Sequence, residues 1–300
     1  YKKAFPAALA VEVFHNFTLV HDDIMDDAPL RRGKKTVHEK WDLNRGILSG
    51  DAMLILAYQY FESYPPTVFQ KLAVLFSKTA LEVCDGQQLD IDFETRNDVT
   101  IPEYLKMIEY KTAVLVGAAM KMGAIVAEAS LEDQESIYQF GKNLGIAFQL
   151  QDDYLDGFGD PKTFGKQVGG DIIENKKTFL YINALKLSNT EDSEQLQHLF
   201  SINPNNPKEK IEIAKQIFIE SGAVDIARLR FWLALVVDEV EPLPLPNLDY
   251  KIMQGNSLLE SFEGIDLSQI INAAAYEAVY ESEQIELFSG EAKKKVSMSL

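Results

Sequence analysis

Apolar residues recur at i, i+3, i+4 and i+7 through five long stretches, the spacing of helices that bury one face. The first covers 5–24, ends on a run of aspartates and has Pro29 soon after it. The second, 46–64, is stopped by Pro65 and Pro66. The third covers 67–94, the fourth 101–129 behind Pro102 and Glu103, and the fifth 131–160. Strand-like alternation is absent up to about residue 222, so the expected fold class is all-α. Beyond that point the pattern changes. Pro242, Pro244 and Pro246 alternate with other residues, 248–253 reads as a short strand, and a Gly-Asn-Ser turn follows. Two domains are therefore expected, a helical one over 1–222 and a C-terminal segment of different style over 225–300.

Composition narrows the function. The chain has 300 residues, 46% of them hydrophobic, enough for a sizeable core. Its formal net charge of −17 argues against nucleic acid as a general partner. An acidic protein that takes an anionic substrate must hold it through metal ions or a local basic cluster. Cys84 is the single cysteine, so no intrachain disulfide exists and a reducing, cytoplasmic setting is expected. The longest apolar run, Phe231–Val237, falls far short of the roughly 20 residues of a membrane span. The opening "YKKAFPAALAVEVFHNF" starts within an amphipathic helix without a cap, so the fold is expected to be N-terminally truncated.

The chemistry sits where the apolar pattern stops. "DDIMDD" places four carboxylates in six residues, and Arg31 and Arg32 follow. "DDYLD" repeats the arrangement, giving two triads: Asp22, Asp23 and Asp26, then Asp152, Asp153 and Asp156. Residues i and i+4 share a helix face, so each triad presents a pair of carboxylates on one side. Each ends a long apolar helix, and if the helices face one another the carboxylates meet across a cavity. Oxygen ligands without a His or Cys cluster suit Mg²⁺, which prefers substrate phosphate as a co-ligand. A solvated acidic face is the alternative, and it weakens when the pattern occurs twice. A Ca²⁺ loop fails on the positions of its glycine and final Glu. Lys111 with Thr112, Lys166 and Lys176 add cations, and an Arg fork matches phosphate bidentately. A diphosphate fits this set.

In the order "DDIMDDAPLRRG", "GQQLD", "YKT", "FQLQDDYLDGFGD", Gly165-Lys166 and "GGDIIENKKT", residues 1–222 resemble the trans-isoprenyl diphosphate synthases, the polyprenyl synthetase family. Class I terpene cyclases share the first motif but lack the RRG. The resemblance implies an isoprenoid-synthase-type helical bundle around a central cavity. It implies a Mg²⁺-dependent prenyltransferase that condenses an allylic diphosphate with isopentenyl diphosphate to a short-chain product, and a homodimer. It assigns Asp22, Asp26 and Asp152 to Mg²⁺, with Asp23, Asp153 and Asp156 completing the clusters. Arg31, Lys111, Thr112, Gln149, Lys166 and Lys176 are implied at the allylic diphosphate, and Arg32 and His15 at isopentenyl diphosphate. Phe17, and Phe14 one turn earlier, are implied to floor the product tunnel.

Two departures from that family stand out. Its N-terminal Gly-Gly-Lys-Arg stretch, which holds isopentenyl diphosphate, does not occur here. After Val224 the chain resembles instead a segment of the large N6-adenine DNA methyltransferases of restriction systems, on "IARLRFW", "LPNLD" and "GNSL". The glycine-rich cofactor loop and the Asn-Pro-Pro-Tyr motif of those enzymes do not occur, so methyl transfer is not expected. The alternative to an active prenyltransferase is thus an inactive synthase-like subunit or a chimeric fragment with a methyltransferase-derived tail.

Overall fold

The computed structural model describes residues 2–159 and 168–236, with two short strands at 261–262 and 265–266. They form two compact units, Tyr1–Pro242 and Leu243–Leu300. Within the second, β3 (Ser261–Phe262) pairs antiparallel with β4 (Ile265–Asp266). The proline run and the candidate strand 248–253 lie outside the described residues.

The first unit is helical, as its apolar spacing requires. Helix α1 (Phe5–Met25) opens with proline in its first turn and closes on Asp26, whose N–H donates to Asp22 O at 2.9 Å. Next comes a small β-hairpin that leaves no alternation in the sequence, because each strand has two residues. β1 (Leu30–Arg31) pairs with β2 (Lys34–Lys35) across Arg32 and Gly33. Both turn residues have positive φ, 52° and 74°, the geometry of a two-residue hairpin turn that a glycine at the second position eases. One-turn α2 (Val37–Lys40) leads into α3 (Leu43–Gln59). Asp42 caps α3 by accepting from Arg45 N–H at 2.9 Å, so that helix begins earlier than its apolar pattern suggested.

Pro65-Pro66 ends the preceding turn and opens α4 (Pro66–Thr95). A capping box between Thr100 and Glu103 starts α5 (Ile101–Ile108). The fourth helix expected from sequence is not continuous. A π-helical turn over Glu109–Ala113 separates α5 from α6 (Val114–Val126). Ser130 caps α7 (Leu131–Phe158), which carries the second triad whole. Then come α8 (Gly170–Ile173), α9 (Phe179–Leu187), α10 (Thr190–Leu199), α11 (Lys208–Glu220) and α12 (Ala223–Val236). Helix α12 belongs to the first unit, with Ala223 and Ala227 buried, so the residues after 222 begin as helix.

The core lies between α1, α3, α4 and α6. Phe14, Phe61 and Phe76 are fully buried at its centre, with ring centroids 5.0 Å apart for Phe14–Phe76 and 5.2 Å for Phe61–Phe76. These contacts fix α1 against α4 and aim the aspartate end of α1 at the π-turn. The π-turn approaches α4 closely. A Cβ on Gly86 would stand 2.2 Å from Lys111 N and 2.7 Å from Lys111 Cα, so only glycine lets the two backbones meet. We predict that Gly86→Ala costs on the order of 1–3 kcal/mol by overpacking. It should also lower activity more than a distant surface Gly→Ala, because the backbone it moves belongs to Lys111. Denaturant unfolding with steady-state kinetics checks this, and a variant of wild-type stability and rate would refute the close approach.

Candidate active site at the aspartate helix ends

Lys111 joins the two halves of the site. Its Nζ donates to Asp90 Oδ2 at 2.6 Å and to Asp22 Oδ1 at 3.3 Å, bringing α4 and α1 onto one cation. Burial alone would lower the pKa of this ammonium, but Asp90 and Asp22 outweigh it and the net shift is upward. Arg31 grips the first triad from the hairpin: Nε donates to Asp23 Oδ1 at 2.6 Å and Nη2 to Asp22 Oδ2 at 3.1 Å. Asp23 is buried. Burial, then the charge of Asp22, pushes the Asp26 carboxyl up to about 6.

The second triad divides its roles. Asp152 faces a cleft of about 190 Å³ with Asp90, Lys111, Thr112, Gln149, Asp171 and Lys176 in its walls. Asp153 is buried and fully engaged. Tyr104 Oη donates to it, and Phe179 N–H and Gln149 Nε2 each donate at 3.3 Å. Burial still holds its carboxyl well above the usual carboxylate range, against the pull of those donors. Asp156 accepts from Asp171 N–H at 3.1 Å, tying α7 to α8. Asp171 is raised by burial and then by the charges of Asp153 and Asp156. Thr112 Oγ1 donates to Gln149 Oε1 at 3.2 Å. Lys176 pairs with Glu174 at 3.0 Å, and Glu174 and Asp171 raise it despite its burial.

The structure thus gathers Asp22, Asp23, Asp26, Asp152, Asp153, Lys111, Thr112, Gln149, Lys176 and Arg31 around one region. Arg32 stays exposed in the hairpin turn. His15 is shifted down, first by burial, with the charges of Arg32 and Arg31 adding to it against Glu12 and Asp22. Phe14 and Phe17 are buried in the core below, their ring centroids 5.5 Å apart. Lys166 lies outside the described residues. Asp90, Asp171 and Tyr104 were not singled out from sequence, although the first two stand inside the quoted motifs.

The donors around the cleft suit a hard divalent cation. They are carboxylates without imidazole or thiolate, and burial together with the charge of neighbouring carboxylates raises Asp26 and Asp171. Asp22 and Asp23 are drawn onto Arg31 and Lys111, so no triad alone forms a closed metal cage among the described residues. Mg²⁺ needs none, because it keeps waters and shares ligands with phosphate.

The geranylgeranyl diphosphate synthase of Methanosarcina mazei is 46% identical over 188 residues, covering 62% of this chain and 58% of that one. The geranylfarnesyl diphosphate synthase of Natronomonas pharaonis is 40% identical over 224 residues, covering 74% of this chain and 64% of that one. The chain therefore spans about three fifths of the length of these curated relatives. A crystal structure of a geranylgeranyl pyrophosphate synthase superposes with a TM-score of 0.75 at 56% identity, over 78% of this chain and 72% of that one. The family profile described as Polyprenyl synthetase matches residues 1–217, which hold both aspartate clusters, Lys111 and Lys176, and the chain belongs to that family.

Proposed function

We propose that this chain is a trans-prenyltransferase that condenses an allylic diphosphate with isopentenyl diphosphate. Its product would be a short-chain polyprenyl diphosphate of about fifteen to twenty carbons. The observation that carries the proposal is one cleft lined by Asp152, Asp153, Lys111 and Lys176, to which the Lys111–Asp22 ion pair joins the first aspartate cluster and its partner Arg31. Asp22, Asp26 and Asp152 would hold Mg²⁺. When bound, the metal supplies charge neutralisation at the leaving diphosphate.

The chain's own residues do the rest. Lys111, Lys176 and Arg31 now rest on carboxylates and would turn to the phosphate oxygens as substrate enters, with Thr112, Gln149 and Lys166 completing that set. Tyr104 and Phe179 N–H hold Asp153 and so fix the second cluster. The allylic C–O bond breaks, the alkene of isopentenyl diphosphate attacks the cation, and a proton passes to the departing diphosphate. Arg32 and His15 would hold isopentenyl diphosphate. No protein nucleophile is required, and the rate gain comes from positioning and preorganised charge. Exposed apolar side chains on α3 and α4, among them Leu48, Ile55, Val74 and Leu81, support a homodimer. No helix among the described residues is long and apolar enough to cross a membrane. A reducing cytoplasm suits the lone, exposed Cys84.

The direct test is incubation with radiolabelled isopentenyl diphosphate and each allylic primer, with Mg²⁺ and with chelator. Chain-elongated product that needs Mg²⁺ is expected, and no product with any primer would defeat the proposal. Asp22→Ala should lower turnover by at least about a hundredfold, the size of losing one preorganised charge contact. It should leave the melting temperature nearly unchanged, because lost ion pairs and relieved repulsion oppose each other. Steady-state kinetics checks this, and an active Asp22→Ala chain would place the chemistry elsewhere. Phe17→Ala should lengthen the product. It should also cost less stability than Phe14→Ala, where roughly 3–5 kcal/mol is expected for a closed core site. Phe14 is 1% exposed and Phe17 8%. Unchanged product length with a stability loss equal to that of Phe14→Ala would make Phe17 ordinary core.

A further inference from the structure

Three side chains outside the diphosphate cleft converge at the foot of the β1–β2 hairpin. Asp27 follows the end of α1, and His38 and Glu39 stand in α2. One ligand atom from each lies within 4.8 Å of the others. The histidine makes this more than an acidic cluster. Its side chain is only 9% exposed, and neither Nδ1 nor Nε2 has a hydrogen-bond partner. Nε2 lies 4.0 Å from Asp27 Oδ1, too far for a hydrogen bond. A buried imidazole with both nitrogens unpaired calls for a water or an ion.

We propose that Asp27, His38 and Glu39 bind a divalent transition-metal ion of the zinc type, separate from the Mg²⁺ of the cleft. One imidazole and two carboxylates leave a fourth position for water, and imidazole selects zinc-like ions over magnesium. The three ligands bracket the segment that carries Arg31 and Arg32. That segment is already closed by Thr36 Oγ1 donating to Ala28 O at 2.7 Å and Thr36 N–H to Pro29 O at 3.2 Å. A metal here joins the end of α1 to α2 just beyond those bonds and steadies the hairpin from which Arg31 reaches Asp22 and Asp23. The site does not depend on the prenyltransferase reading.

Zinc titration by calorimetry in excess Mg²⁺, on the wild-type chain, Asp27→Asn and Glu39→Gln, tests the proposal. Both substituted side chains are exposed, so the fold should survive the change. One zinc per chain is expected, and each variant should weaken it by at least about tenfold, the loss that even an outer-shell partner causes. Imidazole ¹⁵N resonances read the third ligand without mutation. Among the four histidines, His38 should be the one whose ring shifts with zinc. Amide exchange across residues 28–36 should slow on zinc addition. The proposal fails if the wild type binds no zinc, if either carboxylate variant binds it as tightly, or if the His38 ring does not shift. A bridging water alone would give the first of these results.

Discussion

The ammonium of Lys111 is the point on which the site depends. It stands between Asp90 of α4 and Asp22 of α1, two carboxylates from helices far apart in sequence. A half-buried cation between two anions is held by both, and removing it would leave opposed negative charges in a partly desolvated space. Its position is set by backbone more than by side chain. The π-turn over Glu109–Ala113 adds width to the helix, and Gly86 lets α4 approach Lys111 N directly. Such wide turns inside helices often occur where a functional side chain must be re-aimed.

Around that cation the protein arranges more negative charge than it neutralises. Arg31 and Lys111 together pair with three carboxylates, Asp22, Asp23 and Asp90, and Asp26 and Asp171 are raised by burial and by neighbouring carboxylates. Asp153 is held differently, by the Tyr104 hydroxyl, the Gln149 amide and one backbone N–H. The unneutralised surplus is what a divalent cation would relieve, and in the proposed function the same lysines and arginine would then turn toward phosphate. Folding and binding therefore draw on the same charges. The hairpin takes part because Arg31 pairs into the first triad from β1, so anything that steadies residues 28–36 steadies the triad.

Much of this was legible in the residue pattern, and the exceptions have physical reasons. The aspartate clusters could be read because two dense, like-charged groups after apolar helices have no folding rationale. The helices could be read because each buries one face at regular spacing. The π-turn could not, since one extra residue in a turn leaves the apolar pattern on either side intact. The hairpin was missed because two-residue strands carry no alternation, although Arg32-Gly33 is a turn signal. Asp90, Asp171 and Tyr104 are single residues on helices, and only tertiary packing brings them to the cleft. The helix from Ala223 shows the reverse case. Its sequence departs from what precedes it, yet Ala223 and Ala227 are buried within the first unit.

The central claim is that this balance of carboxylates and protein cations is built to hold a metal-bound diphosphate. The measurement closest to it is calorimetric titration of inorganic pyrophosphate into the chain, with and without Mg²⁺, for the wild type and Lys111→Met. The account predicts binding that requires Mg²⁺ and is weakened by at least about tenfold in Lys111→Met, the size of one charge-assisted contact of 1.5–3 kcal/mol. Pyrophosphate that binds equally well without Mg²⁺, or without the Lys111 ammonium, would contradict it.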